Sequence, residues 1–127
     1  TAPAAKQAFR ALIARSDVIL LNVRPGVEAK LGLDYEHLRA INSNIIYCSI
    51  TGYGASGPYA ERAAYDNVGQ TLSGWLSMFH QGTDARVAGP AVSDALTGMY
   101  AAIGIHAALT ERARGGALAV GNAEVVL

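Results

Sequence analysis

The chain predicts an α/β fold, a parallel sheet with flanking helices. Three observations carry this. Val18-Ile19-Leu20-Leu21-Asn22-Val23 is a short, essentially unbroken apolar run, the pattern of a strand buried on both faces of a parallel sheet. Ile45-Ile46-Tyr47-Cys48-Ser49-Ile50 is a second β-type run, and helical segments separate the two, which implies a parallel crossover, expected right-handed. Further on, Leu96, Met99, Tyr100, Ile103 and Ala107 recur at the i, i+3, i+4, i+7 spacing of a buried helix face.

In order, residues 3–15 read as a helix with Ala5, Phe9, Leu12 and Ile13 on one side, ending at Ser16-Asp17. The first strand is broken at its C-terminal end by Arg24-Pro25-Gly26. A short helical turn runs through Lys30 to Gly32; Asp34 then caps a helix to Ile41, stopped by Asn42-Ser43-Asn44. After the second strand comes a glycine loop, 52–58, and a polar turn with Glu61 and Arg62. Asp66 reads as the cap of a helix whose apolar positions are Val68, Leu72, Trp75, Leu76 and Phe79, with Trp75 and Phe79 in the core. Residues 80–89 read as a loop with a short strand around Val87. The long helix runs to about Arg112 and ends at Arg114-Gly115-Gly116. The tail from Ala117 has β-type residues but no clear partner, and there is no internal repeat or low-complexity tract.

Composition narrows the function. The 127 residues are 51% hydrophobic and only 16% charged, a composition that buries most of its surface or has partners to cover it. Ten Lys and Arg balance ten Asp and Glu, so no global field points to nucleic acid or an anionic membrane. No apolar run approaches the roughly 20 residues of a membrane span, and no secretory leader is expected. Cys48 is the only cysteine and packs in a strand pattern, consistent with a reducing, cytoplasmic location. His37, His80 and His106 are far apart, so no metal is expected. The chain opens on a helix with no preceding strand, and its short sheet would normally be covered on both faces. It is therefore expected to be the middle of a larger α/β protein.

Chemistry concentrates at loop–element junctions. Asp94 sits where Gly89-Pro90 turns into the long helix, at or near its N-terminus, where free N–H groups and the helix dipole stabilise an anion. It reads as an N-cap or as a carboxylate nucleophile. His106 lies about three turns along, too far to touch that carboxylate, and reads as structural or interfacial. Gly52-x-Gly54-x-x-Gly57 matches the dinucleotide fingerprint letter for letter, but Pro58 and Tyr59 follow where a helix should start. A permissive loop over another ligand fits better than NAD or FAD. Asn22, Val23 and Arg24 lie at the C-terminal end of a parallel strand, where open α/β sheets bind ligands. Arg24 and Lys30 could meet phosphates, or be solvated charges of a strand-to-helix turn. Tyr65 lines a pocket or packs.

In series, Asn-x-Arg-Pro-Gly with Leu-Gly-Leu-x-Tyr-x-x-Leu, Ile-Tyr-Cys-Ser-Ile-x-Gly-Tyr-Gly-x-x-Gly-Pro-Tyr, Tyr-Asp-x-x-x-Gln and Asp-x-x-Thr-Gly-x-Tyr-Ala-Ala-Ile-Gly resemble the family III coenzyme A transferases, the formyl-CoA transferase, CaiB and BaiF group. The likeness spans about residues 1 to 116. It implies a Rossmann-like large domain and an interlocked homodimer, with acyl-CoA and carboxylic acid substrates. It places Asp94 on the catalytic aspartate, and Asn22, Val23, Lys30 and Leu31 on CoA-contacting positions. Arg24 lies beside the first pair; the loop with Gly52 and Gly54, and Tyr65, would lie near the cofactor or acyl group. The implied chemistry runs through an aspartyl acyl anhydride and an aspartyl-CoA thioester. The N-terminal part of the domain, the small domain and the glycine-rich lid would be absent from these 127 residues, so the isolated chain is expected to be inactive. Two alternatives stand beside transfer. One is an acyl-CoA racemase, whose histidine would fall where this chain has Tyr65. The other is a non-catalytic CoA-binding fragment.

Overall fold

Alternation along the second strand sets the layers. We describe residues 3–79 and 89–115, and the backbone of 122–126, from a computed structural model. The sheet holds β1 (Val18–Leu21), β2 (Ile46–Thr51) and β3 (Asn122–Val126), all parallel, in the order β1-β2-β3. Successive side chains of a strand point to opposite faces. Tyr47 therefore joins Ile13, Ile19, Leu38 and Ile45 in a cluster on one face, while Cys48 and Ile50 pack with Ala101 on the other.

The first face is covered by α1 (Pro3–Ile13) and α3 (Tyr35–Arg39). Phe9, Leu21, Tyr35 and Ile41 close around the cluster, and Leu38 is fully buried. The Asn42 amide donates to the Ile13 and Ser16 carbonyls at 3.2 and 2.8 Å, tying the end of α1 to the chain beyond α3. The crossover from β1 to β2 runs through α2 (Val27–Leu31) and α3, in the register Val18↔Ile46 to Leu21↔Ser49. Asp34 caps α3, as its position predicts.

The second face is covered by α5 (Val92–Ala113), which follows α4 (Asp66–Leu72). Near the C-terminal end of α5, Arg112 pairs with Asp17 at 2.6 Å and donates to the Asn44 carbonyl at 3.1 Å. Both partners precede strands, so the helix runs back along the sheet and its first turn lies at the C-terminal ends of β1 and β2. Among the described residues no helix is long and apolar enough to cross a membrane.

Five sequence expectations need correction. β1 stops at Leu21, just before the Asn22-Val23-Arg24 segment that leads into Pro25, and Leu20 is 48% exposed, because β1 lies at the edge of the described sheet and α5 packs chiefly on β2 and β3. The tail does have a partner: β3 pairs with β2 from Tyr47↔Asn122 to Thr51↔Val126. The helix from Asp66 ends at Leu72, and a 3₁₀ turn follows at Leu76–Met78. Gly74, at φ +79°, takes the left-handed conformation that ends helices. The Trp75 and Phe79 rings consequently pack against each other at a tilt, 5.4 Å between centroids, and Phe79 is exposed rather than core. Finally, the apolar residues expected on the buried face of α5 are largely exposed: Leu96, Met99, Tyr100 and Ile103 are 44–64% exposed, while the buried residues are Thr97 and Ala101, with Ile105 packed beside them against Cys48 and Ile50. The expected strand at Val87 and His80 lie outside the described residues.

Candidate active site

Strand ends, one loop and two helix starts converge at the C-terminal edge of the sheet. A cavity of about 250 Å³ there is lined by Asn22, Val23, Arg24 and Pro25 after β1, Thr51 and Gly52 at the end of β2, Arg62, Ala63, Ala64 and Tyr65 before α4, and Asp94 in the first turn of α5. Six residues singled out in the sequence thus meet: Asn22, Val23, Arg24, Gly52, Tyr65 and Asp94.

Asp94 is exposed and is not the cap of its helix. The N-cap is Ala91, which offers no side-chain hydrogen bond. The Asp94 N–H is met instead by Asp66 Oδ1 at 3.1 Å. Asp66 is likewise not the cap of α4, where Tyr65 holds that place without a side-chain bond. The two aspartates thus correct the reading of each as the cap of its own helix. One caps the helix of the other, leaving the Asp94 carboxylate at the positive end of a 22-residue helix.

Two glycines make this approach possible. A Cβ on Gly69 would lie 2.9 Å from Ser93 Oγ, so only glycine lets α4 pass this close to the start of α5. A Cβ on Gly52 would lie 2.1 Å from Ala64 Cβ, which fixes the loop end of β2 against the segment before α4. Gly54 does not line the cavity. It turns the chain at φ +83°, and its N–H donates to Thr51 Oγ1 at 3.0 Å. No helix starts at Gly57, so the dinucleotide context is absent, as the following residues predict.

Lys30 and Leu31 stand apart on α2. Leu31 lines a separate groove of about 440 Å³ with Lys6, Phe9, Arg10 and Ile41, while Lys30 lines neither cavity. Sequence reasoning passed over Arg62, which lines the cavity beside Arg24 and holds its guanidinium 4.3 Å over the Tyr59 ring, at a neighbouring cleft. Its place in a charged turn gave no periodic signal. A larger cleft of about 640 Å³ adjoins the site across Gly52 and Ala64, between α4 and α5, with Val68, Leu72, Trp75 and Leu96 among its walls. Cys48 is fully buried and burial raises its thiol pKa, so it is no nucleophile. Among the described residues no cluster of His, Cys, Asp or Glu could hold a metal.

What the arrangement offers is an accessible carboxylate at a helix start, with Asn22, Arg24 and Arg62 among the residues around a small cavity. That combination suits an acyl or phosphate-bearing substrate. The sequence profile of CoA-transferase family III matches residues 1–122. The chain belongs to this family. It is 44% identical over 108 residues to the succinate–glutarate CoA-transferase of Agrobacterium fabrum, covering 84% of this chain and 27% of that protein. It is 40% identical over 110 residues to the acetyl-CoA:oxalate CoA-transferase of Acetobacter aceti, covering 85% and 28%. The crystal structure of a CaiB/BaiF family protein from Brucella suis superposes with a TM-score of 0.83 at 40% identity, over 98% of this chain and 32% of that one. The chain therefore spans about a quarter to a third of the length of these relatives.

Proposed function

We propose that the chain is the aspartate-bearing part of a longer CoA-transferase, which moves coenzyme A from an acyl-CoA thioester to a carboxylic acid. The observation that carries this is the placement of Asp94. It is exposed in the first turn of α5, in one cavity with Asn22, Val23, Arg24, Gly52 and Tyr65. Family membership and the relatives' names supply the substrate class.

In this reading an Asp94 oxygen attacks the thioester carbonyl. The C–S bond breaks, leaving an aspartyl acyl anhydride and CoA thiolate. The thiolate then attacks the aspartyl carbonyl, forms an aspartyl-CoA thioester and releases the donor acid. The acceptor carboxylate attacks that thioester, and the thiolate takes the new acyl group from the resulting anhydride, regenerating Asp94. Open N–H groups of the helix start would stabilise the tetrahedral oxyanions. Arg24 and Arg62 would hold anionic groups of the substrates, and Asn22 and Val23 would line the CoA path. Lys30 and Leu31 would meet a different part of the same extended molecule.

Tyr65 argues against the racemase reading, since tyrosine with its reference pKa near 10 is a poor base around neutral pH. The outward apolar face of α5 supports burial against further polypeptide, in keeping with the interlocked homodimer that the family resemblance implies. A buried free thiol fits a cytoplasmic location.

The test is to incubate the intact protein with a panel of acyl-CoA thioesters, add hydroxylamine and map the adduct by peptide mass. A hydroxamate on Asp94 is expected, and the reactive thioester names the donor. Asp94→Ala should lower transfer by roughly 10⁴-fold or more while CoA still binds. Turnover surviving in that variant would remove the mechanism.

A further inference from the structure

We infer that Gln70 is a positioning residue for Asp94, acting through the carboxylate of Asp66. The inference rests on the reading of Asp94 as nucleophile. Gln70 is 1% exposed, the most buried polar residue of α4, and it closes the Tyr-Asp-x-x-x-Gln motif, in which the sequence assigned the glutamine no role. Its Nε2 donates to Asp66 Oδ2 and to the Pro90 carbonyl, the latter at 3.2 Å. Asp66 Oδ1 in turn accepts the Asp94 N–H at 3.1 Å. One amide group therefore joins α4, the loop before α5 and the first turn of α5.

The orientation of that amide is dictated by its neighbours. Both groups at Nε2 are acceptors, so the NH₂ end must face them. Gln70 Oε1 is left buried with no partner among the described residues. Two donors delivered from one neutral atom are what the geometry uses, and they fix both Asp66 and Pro90. With the amide lost, Asp66 can turn away and the Asp94 N–H loses its acceptor. The first turn then frays, and the nucleophile moves relative to the cavity formed by Asn22, Arg24 and Tyr65. Gly69, one residue earlier, brings α4 close enough for this bridge to close.

The experiment compares intact wild-type protein with Gln70→Leu and Gln70→Glu. It reads the rate of hydroxamate formation on Asp94, kcat and KM for the acyl-CoA across pH, and melting temperature. In Gln70→Leu, kcat and trapping rate should fall on the order of tenfold to a hundredfold with KM for the acyl-CoA little changed. In Gln70→Glu, a protonated Glu can still donate to Asp66, so activity should be rescued at low pH. It should fall as pH rises, because a Glu that has lost its proton has no donor for Asp66 and repels its carboxylate. The charged and titratable groups around the bridge are Asp66 on α4, Asp94 on α5, and Arg24, Arg62 and Tyr65 on the adjoining wall. Should Gln70→Leu fail to fold, the pH profile of Gln70→Glu decides alone. The inference is overturned if Gln70→Glu follows the wild-type pH profile, or if kcat losses merely track the folded fraction. If wild-type protein itself forms no hydroxamate on Asp94, the underlying nucleophile reading fails, and this inference with it. Normal trapping in the wild type, at a rate the variants share, sinks the Gln70 role alone.

Discussion

The two faces of the sheet are built on different principles. The face under α1 and α3 is filled by volume: Ile13, Ile19, Leu38, Ile45 and Tyr47 interdigitate, with Phe9 and Ile41 around them. The face under α5 is held by closeness. Ala101 and Thr97 are buried where Leu96, Met99, Tyr100 and Ile103 of the same helix are not, Gly69 meets Ser93, Gly52 meets Ala64, and Asp66 reaches across to Asp94. The candidate site lies on the second side. A chemically active carboxylate needs a fixed backbone more than a large apolar neighbourhood, and small residues with short polar ties provide one.

The contrast can be broken at its strongest point. Leu38→Ala should destabilise the protein by about 2–5 kcal/mol, because a fully buried side chain leaves a cavity that its neighbours only partly refill. Transfer activity per folded molecule should stay near wild type, since none of the Leu38 cluster lines the site. Denaturant midpoints and specific activity check both. An activity loss exceeding the loss of folded protein would show that the two faces are not independent.

On the other face Gly52→Ala should cost about 1–3 kcal/mol by overpacking. Here activity should fall with stability, because the strained contact lies in the cavity wall. The added Cβ meets one atom closely, Ala64 Cβ at 2.1 Å, while the next, Ala64 Cα, is at 3.4 Å. Combining Gly52→Ala with Ala64→Gly should therefore restore most of the loss. A double variant no better than the single one would mean that Gly52 serves a ligand rather than this packing.

Legibility from sequence divides along the same line. Volume-filled structure was readable: the two apolar runs gave β1 and β2, and the Asp34 cap and the Asn42 stop bound α3 in the folded chain. Closeness was not. Periodicity assigns the larger apolar residues of a helix to its buried face. In α5 that rule selects Leu96, Met99, Tyr100 and Ile103, all exposed, over Thr97 and Ala101. The partner of β3 is separated from it by most of the chain, beyond the reach of any local pattern. Of the residues that the motifs marked for the candidate site, one cavity gathers Asn22, Val23, Arg24, Gly52, Tyr65 and Asp94, while Lys30, Leu31 and Gly54 stand outside it. The ties that hold it, Asp66 to Asp94 and Gln70 to Pro90, cross between elements 20 or more residues apart, and nothing in either segment alone announces them.

The smallest effect sharpens the contrast at the level of helix caps. Asp34 caps its own helix: Oδ1 accepts the His37 N–H at 3.2 Å, and Oδ2 meets His37 Nδ1 at 2.7 Å. Burial pushes the Asp34 carboxyl pKa up, but the hydrogen bonds and charge of His37 outweigh it, and the net shift is downward. A lowered folded pKa means that Asp34 stabilises the protein above its unfolded value, near 3.9, and loses that contribution as pH falls through the folded value. Asp34→Ala should cost about 1 kcal/mol near neutral pH. Its deficit relative to wild type should shrink on acidification, while Asp34→Asn should keep much of the cap. Asp66→Ala should behave differently, because Asp66 caps no N–H of its own helix. Hydrogen exchange should speed up at the start of α5 and stay slow in α4. Faster exchange in α4 instead would mean that Asp66 acts locally, as Asp34 does, and the two faces would share one design after all.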